Sequence, residues 1–264
     1  MARFIETDSR DPRLEPYHDL RLNRKWASPD GFIIETELVL ERLIESPFEI
    51  IEIVTSQTKA ERLEATLPDN CDTFVLSRGE LEKLVGFDLH RGVLARARRP
   101  ENLFPTAFDA LTPGQRWLFG ENITDPGNVG TLIRIASTLG FDGVYFDSKS
   151  TNPFSRRSAR SSAGHIFRIP VHVVETEKLL GHFSEANILA AALSETAMDS
   201  FTLSPMLSPV LLAVGNEGYG LTDEVLQAAN RLIEIPMVAS GDSLNVATAA
   251  AILCHQLSPL RQAK

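Results

Sequence analysis

The chain has 264 residues and a formal net charge of -9, with 43% hydrophobic and 23% charged side chains. This length suits one large domain or two modest ones, each with its own core, and the acidic balance excludes a protein that coats nucleic acid by bulk electrostatics. No apolar run of about eighteen residues occurs, and the opening M-A-R-F-I-E-T-D lacks the basic-then-apolar order of a signal peptide, so a soluble cytoplasmic protein with no membrane partner is expected.

In chain order, the apolar segments 32–34, 50–54, 73–76 and 93–94 read as short strands, with helices expected at 37–45, 59–66 and 78–84. The pattern predicts a small α/β sandwich. Pro100, Pro105 and Pro113 fall in a stretch without clear period and suggest a domain boundary near residue 110, dividing the chain into 1–110 and 111–264. Beyond it, strands expected at 116–120, 143–147, 187–192, 210–215 and 232–236 alternate with helices at 129–139, 223–230 and 244–257, which predicts a parallel sheet with helices on its faces.

Basic side chains fall in three groups: Arg21, Arg24 and Lys25; Arg91, Arg96, Arg98 and Arg99; and Arg156, Arg157 and Arg160. Any anionic partner has to be held by such patches, since neither half of the chain is basic overall. Cys71 and Cys254 stand in unrelated contexts without a second ligand at metal spacing, so free thiols and no metal are expected.

Three polar segments follow apolar strands in the second half, where ligands of α/β proteins bind. The first, 122–134, reads N-I-T-D-P-G-N-V-G-T-L-I-R. Val129, Leu132, Ile133, Ala136 and Leu139 recur at helical spacing, and Gly140 is placed to close the helix. Arg134 lies almost opposite that apolar face, so it meets either water or something bound. Asn128, at the helix start, serves as a cap or as a ligand contact.

The second segment, G-N-E-G-Y-G at 215–220, has three glycines that let backbone approach a ligand closely. Its glycine order reverses the dinucleotide fingerprint, and no Lys-Ser/Thr follows, which argues against nicotinamide and nucleoside-triphosphate readings. Glu217 stands among these glycines at the end of a central strand. The third segment runs from the strand end Ile235-Pro236-Met237 to Ser243-Leu244-Asn245, where Ser243 reads as an N-cap for a helix with a buried stripe of Val246, Ala250, Leu253, Cys254 and Leu257.

In order and spacing, N-x-x-D-P-x-N-x-G-x-x-x-R, then G-N-E-G-x-G-L, then I-P-M and S-L-N, the chain resembles the SpoU/TrmH family of RNA ribose 2'-O-methyltransferases in the SPOUT superfamily, over residues 112–258. A further match is R-S-S-A-G at 160–164 leading into I-F-R-I-P at 166–170. The first domain is similar to the ribosomal-protein-like α/β domain that many members carry, through 31–35 with the following helix and through 90–93.

The resemblance implies an α/β fold: a C-terminal parallel-sheet catalytic domain tied in a deep trefoil knot, a rare exception to unknotted topology, plus a smaller N-terminal ribosomal-protein-like sandwich that binds the RNA substrate. It also implies S-adenosylmethionine as cofactor, a homodimer formed through the knotted domain, and a structured RNA (rRNA or tRNA) as partner. By motif position, Gly215, Ile235 and Leu244 would contact the cofactor, with Leu193, Ser194, Asn216, Gly218, Pro236 and Met237 lining its site. Asn128, Arg134, Glu217, Ser243 and Asn245 would form the catalytic set.

Methyl transfer to a ribose hydroxyl is an in-line displacement, to which positioning contributes about 7–11 kcal/mol. In the family the matching arginine is taken as the base, assisted by an RNA phosphate. Arginine is a weak base with a pKa above about 12, so the alternative is that Arg134 grips the phosphate while Glu217, Ser243 and Asn245 complete a polar network. A second class of function is a non-catalytic RNA-binding protein using the knot as a dimerisation scaffold. The retained polar trio Glu217, Ser243 and Asn245 counts against it.

Overall fold

The computed structural model describes residues 2–20, 27–28, 31–69, 71–89, 92–99, 106–203, 207–238 and 243–261. The Arg21, Arg24 and Lys25 group, Arg91, and the Pro100 and Pro105 breakers lie outside these residues. The chain forms two compact units, one of Met1–Leu103 with Phe154–Phe167, the other of Phe104–Pro153 with Arg168–Lys264. This division differs from a single cut near residue 110, because a segment of the second half belongs to the first unit.

The first unit contains β1 (Arg3–Glu6), β2 (Ala27–Ser28), β3 (Gly31–Glu35), α1 (Glu37–Ile44), β4 (Glu49–Ser56), α2 (Gln57–Leu63), β5 (Asp72–Leu76), α3 (Arg78–Val85) and β6 (Val93–Arg98). Its sheet has the order β1-β5-β4-β6-β3-β2. The pairs β1–β5 and β4–β5 are parallel, and β6 runs antiparallel to both β4 and β3. Leu14, Tyr17, Ile33, Val54, Phe74 and Leu94 build one core cluster. Within the unit, the carboxylate of buried Glu52 accepts from the Tyr17 hydroxyl at 3.0 Å and from Arg96 at 2.7 and 2.9 Å, so its charge is compensated where water is excluded.

The second unit opens with β7 (Arg116–Gly120), α4 (Pro126–Thr138) and β8 (Gly143–Asp147). The chain then passes into the first unit as Phe154–Phe167, which carries α5 (Arg156–Ser161). There Glu35, only 3% exposed, accepts hydrogen bonds from both Arg156 and Arg160, and Arg42 donates to the Ala163 carbonyl. Phe154 meets the Phe32 ring edge-on at 5.1 Å and Phe167 stacks on it at 6.3 Å between ring centres. An arginine-rich helix is thus part of this core because a buried carboxylate needs cations beside it. Of the basic groups noted above, Arg96 and Arg98 pair with Glu52 and Glu49, Arg156 and Arg160 pair with Glu35, and Arg157 stays exposed.

Back in the second unit follow β9 (Val171–Val174), α6 (Thr176–His182), β10 (Asn187–Ala191), β11 (Met198–Asp199), β12 (Val210–Val214), α7 (Asp223–Ala228), β13 (Arg231–Glu234) and α8 (Val246–Leu257). The sheet order is β11-β13-β10-β12-β7-β8-β9 and every pair is parallel, as the alternation of strands and helices predicts. β7 and β12 are buried along their whole length at the centre, and Trp117, Phe119, Tyr145, Phe183 and Leu211 pack in one core cluster. α8 packs on α4 and β12, which brings the third polar segment back to the first two. No helix among the described residues is long and apolar enough to cross a membrane.

Candidate active site

The site forms at the carboxyl ends of the central strands, where β7 and β12 each give way to polar loops. At the end of β12, a Cβ on Gly215 would collide with the backbone of Gly220 and Leu221, so only glycine lets this loop close on itself. Asn216 and Gly220 then pair through their backbones, Asn216 N to Gly220 O at 3.2 Å and Gly220 N to Asn216 O at 2.8 Å, with Gly220 left-handed at φ 69.

Both ends of the glycine loop are anchored to residues that follow β7. The Asn216 side chain accepts from Gly218 N at 2.8 Å and Tyr219 N at 3.3 Å, and donates to the Asn122 carbonyl at 3.0 Å. Asn122 is itself held with φ 54, its N–H donating to Asp147 Oδ1 at 2.8 Å. At the other end the carboxylate of buried Glu121 accepts from the Thr222 N–H and hydroxyl, both at 2.8 Å. Glu121 and Asp147 escape sequence reasoning as site residues, their one signal being a charged side chain directly after, or at the end of, an apolar strand; Asn122 heads the first motif without an expected role in the site.

The helix starts correct two expectations. Asp125, not Asn128, caps α4, accepting from Asn128 N at 2.9 Å, and Pro126 occupies the first turn where its missing N–H is harmless. Asn245, not Ser243, caps α8, accepting from Ala247 N at 2.9 Å and Thr248 N at 3.3 Å, because the helix begins at Val246 and Ser243 lies too early to reach its amides. Released from capping, the Asn128 side chain donates to Glu217 Oε1 and accepts from Asn245 Nδ2 at 3.2 Å. One residue from each polar segment therefore meets in a single hydrogen-bonded cluster.

Beside this cluster lies a cavity of about 390 Å³. Leu193, Gly215, Asn216, Ile235, Met237 and Leu244 line it, as do Glu217 and Ser243. Ser194, Gly218 and Pro236 are not on its wall; Gly218 instead serves the loop through its N–H to Asn216. Leu226 and Glu234 also line it without having been singled out in the sequence, and Val246 and Leu253, expected there only as part of a buried helix stripe, share its wall. Arg134 projects from α4 exposed, as the helix wheel predicts, with no hydrogen bond or ion pair to the described residues. The arrangement offers an apolar cleft large enough for a drug-sized ligand, polar at one rim, with an exposed guanidinium on the same helix that contributes Asn128.

A model of the SpoU rRNA Methylase family matches residues 116–255. An uncharacterized tRNA/rRNA methyltransferase of Mycobacterium bovis is 31% identical over 94% of this chain and 89% of its own length. The chain belongs to the SpoU rRNA methylase family. Another relative, the 23S rRNA (guanosine(2553)-2'-O)-methyltransferase of Bacillus subtilis, is 26% identical over 94% of this chain and 97% of its own. An rRNA methyltransferase from Sinorhizobium meliloti superimposes with a TM-score of 0.80 at 25% identity, covering 97% of this chain and 96% of that one. The SPOUT fold class implied by the three motifs is the one found, a parallel-sheet domain accompanied by a smaller α/β domain. Membership in a methylase family also disfavours the non-catalytic scaffold.

Proposed function

We propose that this SpoU methylase transfers a methyl group from S-adenosylmethionine to a ribose 2'-hydroxyl of a structured RNA, rRNA or tRNA, and works as a homodimer through its parallel-sheet domain. The observation that carries the reading is the convergence of Asn128, Glu217 and Asn245 at the rim of a mainly apolar cavity. The cofactor fits the residues present: the cavity has the size of a small-ligand site, and the glycine loop exposes backbone along it. When bound, S-adenosylmethionine supplies an electrophilic methyl group on a sulfonium.

This chain's residues hold, orient and deprotonate. Leu193, Ile235, Met237 and Leu244 provide apolar wall, while Gly215 and Asn216 present loop backbone, with Ser194, Gly218 and Pro236 shaping the adjoining loops. Arg134 is too weak a base to remove a hydroxyl proton, and its planar fork suits bidentate contact with an RNA phosphate, which orients the ribose. Of the five catalytic candidates, Glu217 alone combines a place on the cavity wall with a basic oxygen, so it takes the proton, steadied by Asn128. Ser243 lines the same rim and Asn245 braces Asn128. The unit built on β1–β6 binds the RNA, and the unit carrying the three motifs performs the transfer.

The test incubates the full chain with methyl-labelled S-adenosylmethionine and total RNA, then locates the label. The expected product is a ribose-methylated, alkali-resistant dinucleotide from one RNA species. Absence of transfer to any structured rRNA or tRNA defeats the reading.

A further inference from the structure

Two carboxylates face the cavity, those of Glu217 and Glu234, and among its described lining residues there is no lysine, arginine or histidine. Glu217 is engaged by the Asn128 amide. Glu234, the last residue of β13, is half-buried, and its carboxylate has no hydrogen-bond or ion-pair partner among the described residues. The cavity wall that it shares is largely apolar, with Leu193, Val214, Ile235 and Leu244 among its residues. A carboxylate on such a wall is partly shielded from water, and an opposite charge brought beside it is attracted more strongly than in bulk water.

We infer that Glu234 makes the cavity charge-selective, favouring a cationic sulfonium ligand over the neutral thioether left after transfer. The inference rests on the proposed cofactor and adds to it a residue that tells donor from spent product. The chemistry supplies the distinction. When the methyl carbon leaves sulfur for the ribose oxygen, the electron pair of the broken bond stays on sulfur, so the ligand loses one positive charge while keeping nearly all its shape. Apolar contacts to adenosine barely register that loss, whereas an unpaired carboxylate does. An excess of negative charge in the cleft thereby loosens the product as soon as it forms.

The test is calorimetric titration of the full-length wild type, Glu234→Gln and Glu234→Asp with S-adenosylmethionine, S-adenosylhomocysteine and sinefungin, whose amine replaces the sulfonium by another cation. Wild type is expected to bind the two cationic ligands roughly three- to tenfold more tightly than the neutral one, the range of a partly screened ion pair. Glu234→Gln should bring that ratio close to one while leaving affinity for the neutral ligand essentially unchanged. Glu234→Asp should keep most of the preference, and added salt should shrink it in the wild type. Equal losses for all three ligands in Glu234→Gln would mean that Glu234 holds a group common to them, such as a ribose hydroxyl, and would overturn the inference, as would an unchanged ratio. An unaltered unfolding midpoint for Glu234→Gln verifies its fold. Failure of wild type to bind any of the three defeats the cofactor reading itself, a result distinct from loss of selectivity.

Discussion

Asn128 couples residues 89 and 117 positions away in sequence through one small amide, to Glu217 and Asn245. A helix-start asparagine reads locally as a cap, and that reading fails here because Asp125, three residues earlier, already accepts the Asn128 N–H. The family resemblance implied that Asn128, Glu217 and Asn245 belong to one set, but which atoms meet depends on how β7, β12 and α8 are brought together, which no local pattern encodes. Arg134 was legible for the opposite reason: its exposure follows from helical periodicity alone. Its lack of a partner among the described residues makes it the cleanest residue to remove. Arg134→Ala should lower single-turnover methyl transfer by at least about 10²-fold, the scale of one lost transition-state contact, with S-adenosylmethionine affinity unchanged by calorimetry. Weakened cofactor binding in this variant would move Arg134 from the RNA to the cofactor side.

Among the elements, the central strands were the most readable. β7, β8 and β12 follow short apolar runs almost residue for residue, as strands buried on both faces do. α5 was not readable, because its sequence R-R-S-A-R-S has no apolar stripe and its stability comes from Glu35, far away in the chain. The glycine loop is an intermediate case: its glycines announced a close approach, while the identity of what is approached, the loop's own Gly220–Leu221 backbone, needed the structure. Gly215→Ala should therefore open the loop, abolish measurable cofactor binding and destabilise the fold by about 1–3 kcal/mol, the cost of overpacking a tight site. Chemical denaturation and calorimetry check both parts. Glu35→Gln should be more damaging, about 3–5 kcal/mol, since it leaves buried Arg156 with an uncompensated charge. The midpoint of urea unfolding reads that loss, and early proteolysis within 154–167 should accompany it.

At the scale of the whole molecule, several buried acids bias stability in one direction with pH. Burial pushes the Cys71 thiol from 9.0 up to about 11, and raises Tyr17, Tyr145 and Cys254 above their ordinary values. The unfolded chain releases the Cys71 proton near pH 9, whereas the folded chain retains it to about 11, so over that window the folded state binds more protons. Stability should be fully present below pH 9 and fall as pH rises toward 11. Urea midpoints measured across that range should decline, and less steeply in Cys71→Ala.

The excursion of Phe154–Phe167 into the first unit has a consequence for biosynthesis. Chains emerge from the ribosome N-terminus first, and a contiguous N-terminal domain can fold while the rest is still being made. Here Glu35 lacks its arginines, and Phe32 lacks Phe154 and Phe167, until translation has run through β7, α4 and β8. At about 5–20 residues per second, the first unit waits several seconds with its sheet made and its core incomplete. By the end of that wait only β7 and β8 among the strands of the second unit have been made, and β9–β13 are still to follow, so the first unit completes its core while the second is part-built.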